Sequence, residues 1–368
     1  MITHHPFRLA LELRKRDGTP LGQAPVAADW EPALEAARFS ALRRFHLDAI
    51  GADAVAVFKP VWHETLGEPY ITATEVALEL PGIGELSCRV PNSYFKTLAS
   101  AASTPYVTRG ALKQAERFDY LVTAFPNPPA RPPAPKRERF SVEEVTTPLP
   151  LKSSLLEEFY ARSFACGDPD EQDIPVFIPQ NVLAEAGELT RRSPAVEVAS
   201  VLIGRAHRDR AGGDLFLEVT AQIPARNPQG TATAVTFGPE TWNAVHGALA
   251  LRGGREQLVG WFHSHPAATA WCNAKCPPEA RAQCPLQRTF FSADDCDVQR
   301  TVFSKAFCVA LLVTNTDAGL RRALFSWRNG VIVQRAFHII GDQETQNPAD
   351  AQPAVATIGD AEHENKCP

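Results

Sequence analysis

Apolar and polar positions alternate in two legible stretches of the chain, separated by one with neither period. In the first stretch Leu34, Phe39, Leu42 and Phe45 recur at helical spacing and predict a helix over 31–47. Ile71–Leu80 reads as a strand, Pro81–Gly84 as a turn and Glu85–Val90 as the returning strand. In the second stretch Val182, Leu183 and Ala186 fall on one face of a helix over 176–190. Strands are expected at 196–204, 214–223, 257–265, 307–314, 320–327 and 331–340, with helices at 239–251 and 292–306. Asn329-Gly330 supplies the positive φ values of a tight turn between the last two strands.

Between the two stretches lies a proline-rich run with six prolines in the ten positions 126–135. Such a run joins neither a helix nor a sheet interior, so 126–150 is read as an extended spacer. The expected organisation is a small α+β domain over 1–125, the linker, a connecting segment over 151–173, a second folded domain over 174–340 and a disordered tail over 341–368. Two domains agree with a length of 368 residues at roughly 150 residues per domain. No internal repeat is visible.

Composition removes several function classes. Lysine plus arginine number 37 against 42 aspartate plus glutamate, a net charge of −5. That balance offers no footprint for nucleic acid or for a membrane surface. There is no run of about 18 apolar residues to span a bilayer, and the first residues lack a charged segment followed by an apolar one. The expected location is cytoplasmic, where thiols stay reduced. Of the eight cysteines, Cys272, Cys276, Cys284 and Cys296 fall within 25 residues, which in a reducing compartment points to metal or catalysis before disulfides.

Three short segments carry candidate chemistry. The strand over 257–265 ends in His263-Ser-His265, and the two-residue period of a strand puts both imidazoles on one face. Such a pair supplies two of the three protein ligands of an open zinc site, or is simply a pair of solvated histidines at a strand mouth. Ser292-x-x-Asp295 opens the following helix. As a capping box it satisfies backbone donors; as a ligand set it offers a carboxylate, with Asp294 and Asp297 nearby as competitors. Glu197 is the one carboxylate in the otherwise apolar strand over 196–204. It sits at an exposed strand start or, if buried, has its pKa raised toward the range of general acid–base work.

Taken in order, Glu197, Gly260-Trp-Phe-His-Ser-His-Pro266 and Phe291-Ser-Ala-Asp-Asp295 resemble the signature of the JAMM (MPN-plus, Mov34/JAB) zinc metalloproteases, over about residues 174–340. The resemblance implies an α+β domain of α/β/α-like layering, a JAB/MPN-type mixed sheet flanked by helices, preceded by the separate α+β domain. It implies one catalytic zinc held by His263, His265 and Asp295, with Glu197 moving the proton of an attacking water and Ser292 hydrogen-bonding the oxyanion or the water. The implied reaction is hydrolysis of an amide or isopeptide bond of a ubiquitin-like protein or its conjugates. The implied partners are that protein and relatives of ubiquitin-activating and ubiquitin-conjugating enzymes. Relatives that have lost the metal serve as non-enzymatic scaffolds, and completeness of the ligand set separates the two. This chain departs from the pattern at Ser200, where glycine is common, and in 25 residues, 267–291, separating Pro266 from Ser292.

That insertion contains Cys272, Cys276 and Cys284, with Cys296 just beyond Asp295. Three or four of these thiolates are read as a second, structural zinc site that pins the loop beside the cleft as a lid or substrate selector. The alternatives are free or disulfide-paired cysteines, a redox switch, or a nucleic-acid-binding zinc module, which the few basic residues Lys275, Arg281 and Arg288 disfavour.

Overall fold

The computed structural model describes residues 2–63, 70–114, 116–127, 148–225, 237–253, 256–266, 289–317 and 319–341. Two compact units divide the chain, the first built on Met1–Pro148 and the second on Leu149–Arg328 with Ile332–Pro368. Both mix helices with a sheet, so the fold is α+β.

The first unit contains β1 (Ile2–His4), β2 (Phe7–Lys15), β3 (Pro20–Val26), α1 (Glu31–Arg44), β4 (Val55–Trp62), β5 (Tyr70–Leu80), β6 (Gly84–Pro91), α2 (Lys96–Thr108) and β7 (Phe118–Pro126). Its seven strands run in the order β1-β4-β5-β7-β2-β3, with β6 also on β5. The β5–β6 hairpin falls where alternation placed it. Helix α1 is shorter than expected and its buried face is shifted: Leu34 goes inside as expected, but with Ala33, Ala37 and Ala41, while Phe39 and Leu42 are only half-buried. Alanines four apart let the helix lie close to the sheet, an arrangement invisible to a reading keyed on large side chains. Leu11, Leu13, Phe58, Val76 and Phe95 fill the space beneath.

The second unit contains β8 (Leu151–Ser154), α3 (Leu156–Tyr160), β9 (Ser163–Cys166), β10 (Val176–Pro179), α4 (Gln180–Arg192), β11 (Ala199–Asp209), β12 (Leu215–Pro224), α5 (Pro239–Leu251), β13 (Gln257–His265), α6 (Ala293–Thr301), β14 (Val309–Thr316), β15 (Gly319–Arg328), β16 (Val331–Arg335) and β17 (Phe337–Ile340). Its ten-stranded sheet runs β16-β15-β14-β13-β11-β12-β10-β17-β9, with β8 on β11. The stretch over 151–173, read above as a connection, thus contributes two strands and a helix. Val176–Pro179, read as the first turn of a helix, is instead a strand between β12 and β17. It is fully apolar and buried on both faces, so it carried no two-residue alternation to betray it.

Two features position the site. Strands β13 and β14 are parallel, so the chain must cross over between them, and α6 lies on that crossover. The carboxyl end of β13 thereby faces the start of α6. Gly260 makes the close packing of β13 on β14 possible: its φ is +153°, and a Cβ there would collide with the carbonyl of Val309. The proline-rich residues 128–147 and the tail 342–368 lie outside the described residues.

Candidate metal centre

His263 and His265 close β13, and the strand period sends both side chains to one face, as the sequence indicated. Both rings are buried. Asp295 reaches them from the third position of α6, with Oδ1 3.1 Å from His263 Nε2 and Oδ2 3.5 Å from His265 Nε2. One ligand atom from each of the three lies within 4.8 Å of the others, a spacing that could hold a metal ion.

The capping box is also present, so the two readings of Ser292-x-x-Asp295 are one geometry. Ser292 Oγ accepts from the Asp295 N–H at 3.1 Å, and Asp295 Oδ2 accepts from the Ser292 N–H at 2.7 Å. The cap locks the carboxylate in the direction of the histidines and completes the helix N-terminus. Because Ser292 Oγ accepts from the backbone, its own hydroxyl proton is left to donate.

The charge balance is characteristic of a cation site. Neither ring nitrogen of the wholly buried His263 has a hydrogen-bond partner among the described residues, since Nε2 approaches Asp295 without hydrogen-bond alignment. A buried polar atom in that state costs about 1–3 kcal/mol unless something else engages it. Burial alone pushes the Asp295 carboxyl up, but the His263 and His265 rings together outweigh it and hold the group well below the usual range. Burial lowers the pKa of His265, against the pull of Asp295. The centre therefore favours an ionised Asp295 carboxylate and a neutral His265 ring, protonation states that suit a zinc ligand.

Glu197 lies two residues before β11 rather than inside the strand, and it is buried, with 4% of its surface exposed. Ser264, the residue between the histidines, holds it there. Ser264 Oγ accepts from the Val198 N–H at 3.0 Å, and the Ser264 N–H donates to the Val198 carbonyl at 2.9 Å. Burial, then repulsion from Asp295 and Asp294, raises the Glu197 pKa from 4.5 to about 8. Ser264 escaped the sequence reading because its contacts are to backbone on a distant segment, and only its place between two ligand-type residues hinted at a role.

Aromatic rings wall the centre. Phe290 lies 4.7 Å from the His265 ring, Phe291 5.8 Å from His263, and Phe291 stacks on Phe325 at 4.7 Å. These rings exclude water and sustain the shifts above. Of the cysteine group, Cys272, Cys276 and Cys284 lie outside the described residues, and Cys296 is half-buried on α6 beside Asp295. No helix among the described residues is long and apolar enough to cross a membrane.

Residues 175–278 match the model of the family described as "JAB1/Mov34/MPN/PAD-1 ubiquitin protease". The match takes in Glu197, His263 and His265 and ends before Ser292 and Asp295. No curated protein matches the chain. Among solved structures, the solution structure of a Desulfitobacterium hafniense protein is similar at 15% identity over 46% of this chain and 95% of that one, with a TM-score of 0.29.

Proposed function

We propose, from the JAB/MPN domain that residues 175–278 carry, that the second unit is a zinc-dependent peptidase of the isopeptidase type. The family includes both metallo-isopeptidases and non-enzymatic scaffolds. The observation that favours an enzyme is the convergence of the buried His263, His265 and Asp295, with His263 lacking a hydrogen-bond partner among the described residues and the buried Glu197 close enough to feel the charge of Asp295. Burial and repulsion that raise the Glu197 pKa to about 8 suit a group that takes up and releases a proton near neutrality.

His263, His265 and Asp295 would hold the ion, and three protein ligands leave a position open. When bound, zinc lowers the pKa of a coordinated water to about 7 and polarises a carbonyl. Glu197 accepts a proton from the attacking water and delivers it to the departing nitrogen as the C–N bond breaks, so the products are a carboxylate and a free amine. The Ser292 hydroxyl donates to the oxygen that gains charge. No cysteine takes part.

The substrate in this reading is a ubiquitin-like protein joined through its C-terminus to a lysine or to a peptide extension. The description of the family as a ubiquitin protease supports it. Relatives of ubiquitin-activating and ubiquitin-conjugating enzymes are the corresponding partners, and the cytoplasm the corresponding location. Cys272, Cys276, Cys284 and Cys296 are proposed to hold a second, structural zinc.

Hydrolysis of ubiquitin-like conjugates by the zinc-loaded full chain tests this. Glu197→Gln is expected to lower kcat by about 10²–10⁴-fold with zinc retained, and His263→Ala to abolish both activity and the catalytic zinc. Turnover surviving both substitutions overturns the mechanism. A chain that binds zinc at His263 yet cleaves no amide belongs with the scaffolds.

A further inference from the structure

Two residues outside the ligand set, Trp261 and Gln299, form a second bridge between the same strand and helix that carry the ligands. On β13, Trp261 and His263 are two residues apart and share a face; on α6, Asp295 and Gln299 are four apart and share a face. Strand and helix therefore meet through two parallel rungs. One is His263 Nε2 to Asp295 Oδ1 at 3.1 Å. The other is the Trp261 indole N–H donating to Gln299 Oε1 at 2.7 Å.

The second rung is anchored at both ends. Gln299 is wholly buried, and its amide N–H₂ donates to the carbonyls of Phe303 and Cys308, each at 3.2 Å. An indole N–H can only donate and a carbonyl can only accept, so the amide has one orientation that satisfies all three partners. The Trp261 ring lies nearly parallel to the His263 imidazole, 4.4 Å between centroids and 14° between planes, and within 6° of the Phe303 ring plane. A metal ligand set must be held to a few tenths of an ångström. A helix slipping by one residue moves about 1.5 Å along its axis, enough to break both rungs together.

We propose that Gln299 and Trp261 are positioning residues for the metal centre. Gln299 sets the register of α6 on β13, and with it the reach of Asp295, while the indole it holds fixes the plane of His263. This rests on the zinc reading above, so its test reads the metal directly and not through turnover.

The experiment measures zinc affinity of the full chain by chelator competition, and the visible spectrum of the cobalt-substituted protein, counting only the signal that His263→Ala removes. Gln299→Met keeps the side-chain length and loses every hydrogen bond. It is expected to weaken zinc about tenfold, the low end of what outer-shell partners contribute, and to shift the cobalt bands. Gln299→Glu keeps an acceptor for the indole but turns an oxygen toward the Phe303 and Cys308 carbonyls, so it is expected to weaken zinc at least as much as Gln299→Met. Trp261→Phe keeps a ring beside His263 without the N–H and falls between wild type and Gln299→Met; it carries the test alone if Gln299→Met does not fold. Ser154→Ala, on β8 beside the far end of β11, controls for lost stability and leaves metal binding unchanged.

Folded Gln299→Met or Trp261→Phe binding zinc and cobalt as wild type does overturns the inference. So does a loss of affinity that Ser154→Ala reproduces at equal loss of stability. A wild-type chain with no metal signal sensitive to His263→Ala overturns the zinc reading itself, and the positioning roles with it.

Discussion

At one end of β11, His207 is wholly buried with both ring nitrogens engaged, Nδ1 with Ser154 Oγ at 2.9 Å and Nε2 with Glu218 Oε2 at 3.2 Å. Arg205 donates to the same carboxylate at 3.2 Å and to Glu256 at 2.9 Å. At the other end, where Ala199 pairs with His263, an equally buried imidazole has no hydrogen-bond partner among the described residues, and Glu197, two residues before the strand, is buried with a raised pKa. Both ends contain histidine, serine and glutamate, so residue types alone do not distinguish them. Satisfaction does. In the His207 cluster each buried donor meets an acceptor and each carboxylate a cation, the state expected of polar groups that only have to fold. In the His263 cluster neither nitrogen of the buried His263 ring has a hydrogen-bond partner among the described residues, while an ionised Asp295 lies beside it. A bound cation would engage both.

The sharpest way to break this comparison is to truncate one histidine from each cluster. His263→Ala is expected to remove the catalytic zinc completely and leave the metal-free fold near wild-type stability. His207→Ala is expected to keep the zinc and cost about 2–4 kcal/mol in denaturant unfolding, because Ser154 and Glu218 lose a buried partner. Zinc analysis and urea unfolding on the same samples decide it. The comparison fails if His207→Ala loses the metal or His263→Ala costs as much stability.

The two glutamates should also give opposite pH slopes in the metal-free protein. Glu197 titrates near 8 when folded against 4.5 as a free group, so the folded state keeps a proton the unfolded chain has released. Stability therefore falls as pH rises from about 4.5 to 8, with a ceiling of about 5 kcal/mol from the size of the shift and an expected loss of about 2. Glu197→Gln flattens that slope. Glu218 behaves oppositely. Burial would raise it, but His207 and Arg205 together hold it below its usual value, so its contribution is present above pH 4.5 and is lost as pH falls through the depressed folded value. Unfolding free energies at pH 3.5, 5 and 8.5 for wild type and Glu197→Gln measure both; an unchanged slope after the substitution removes Glu197 as its cause. The smallest effect is expected from Ser292→Ala, about 1 kcal/mol of helix-cap stability together with lower kcat, while Ser292→Thr retains the cap. Equal kcat for both variants and wild type would limit Ser292 to capping.

Much of the candidate site was legible because its parts are local. Two histidines two apart on a strand share a face whatever the fold, and serine three residues before aspartate caps a helix whatever lies opposite. The N-terminal unit was less legible. Its main helix packs by alanines, and β1 pairs with β4 across more than fifty residues, Ile2 opposite Val55, a contact no local pattern announces. Glu197 was placed within a strand and lies before it. Trp261 was visible only as part of the Gly260–Pro266 motif and Gln299 not at all, because a glutamine in a helix and a tryptophan in a strand are ordinary until each is seen facing the other.

The sequence by itself determined which side chains share a face: His263 with His265, Trp261 with His263, Asp295 with Gln299. Those relations follow from helix and strand periods and hold over a few residues of rigid backbone. Only the tertiary structure decided that these faces meet, that Glu197 is buried within reach of the charge of Asp295, and that among the described residues His207 is satisfied where His263 is not. Each of those facts depends on segments tens of residues apart being brought into register by packing, and on the water that packing excludes.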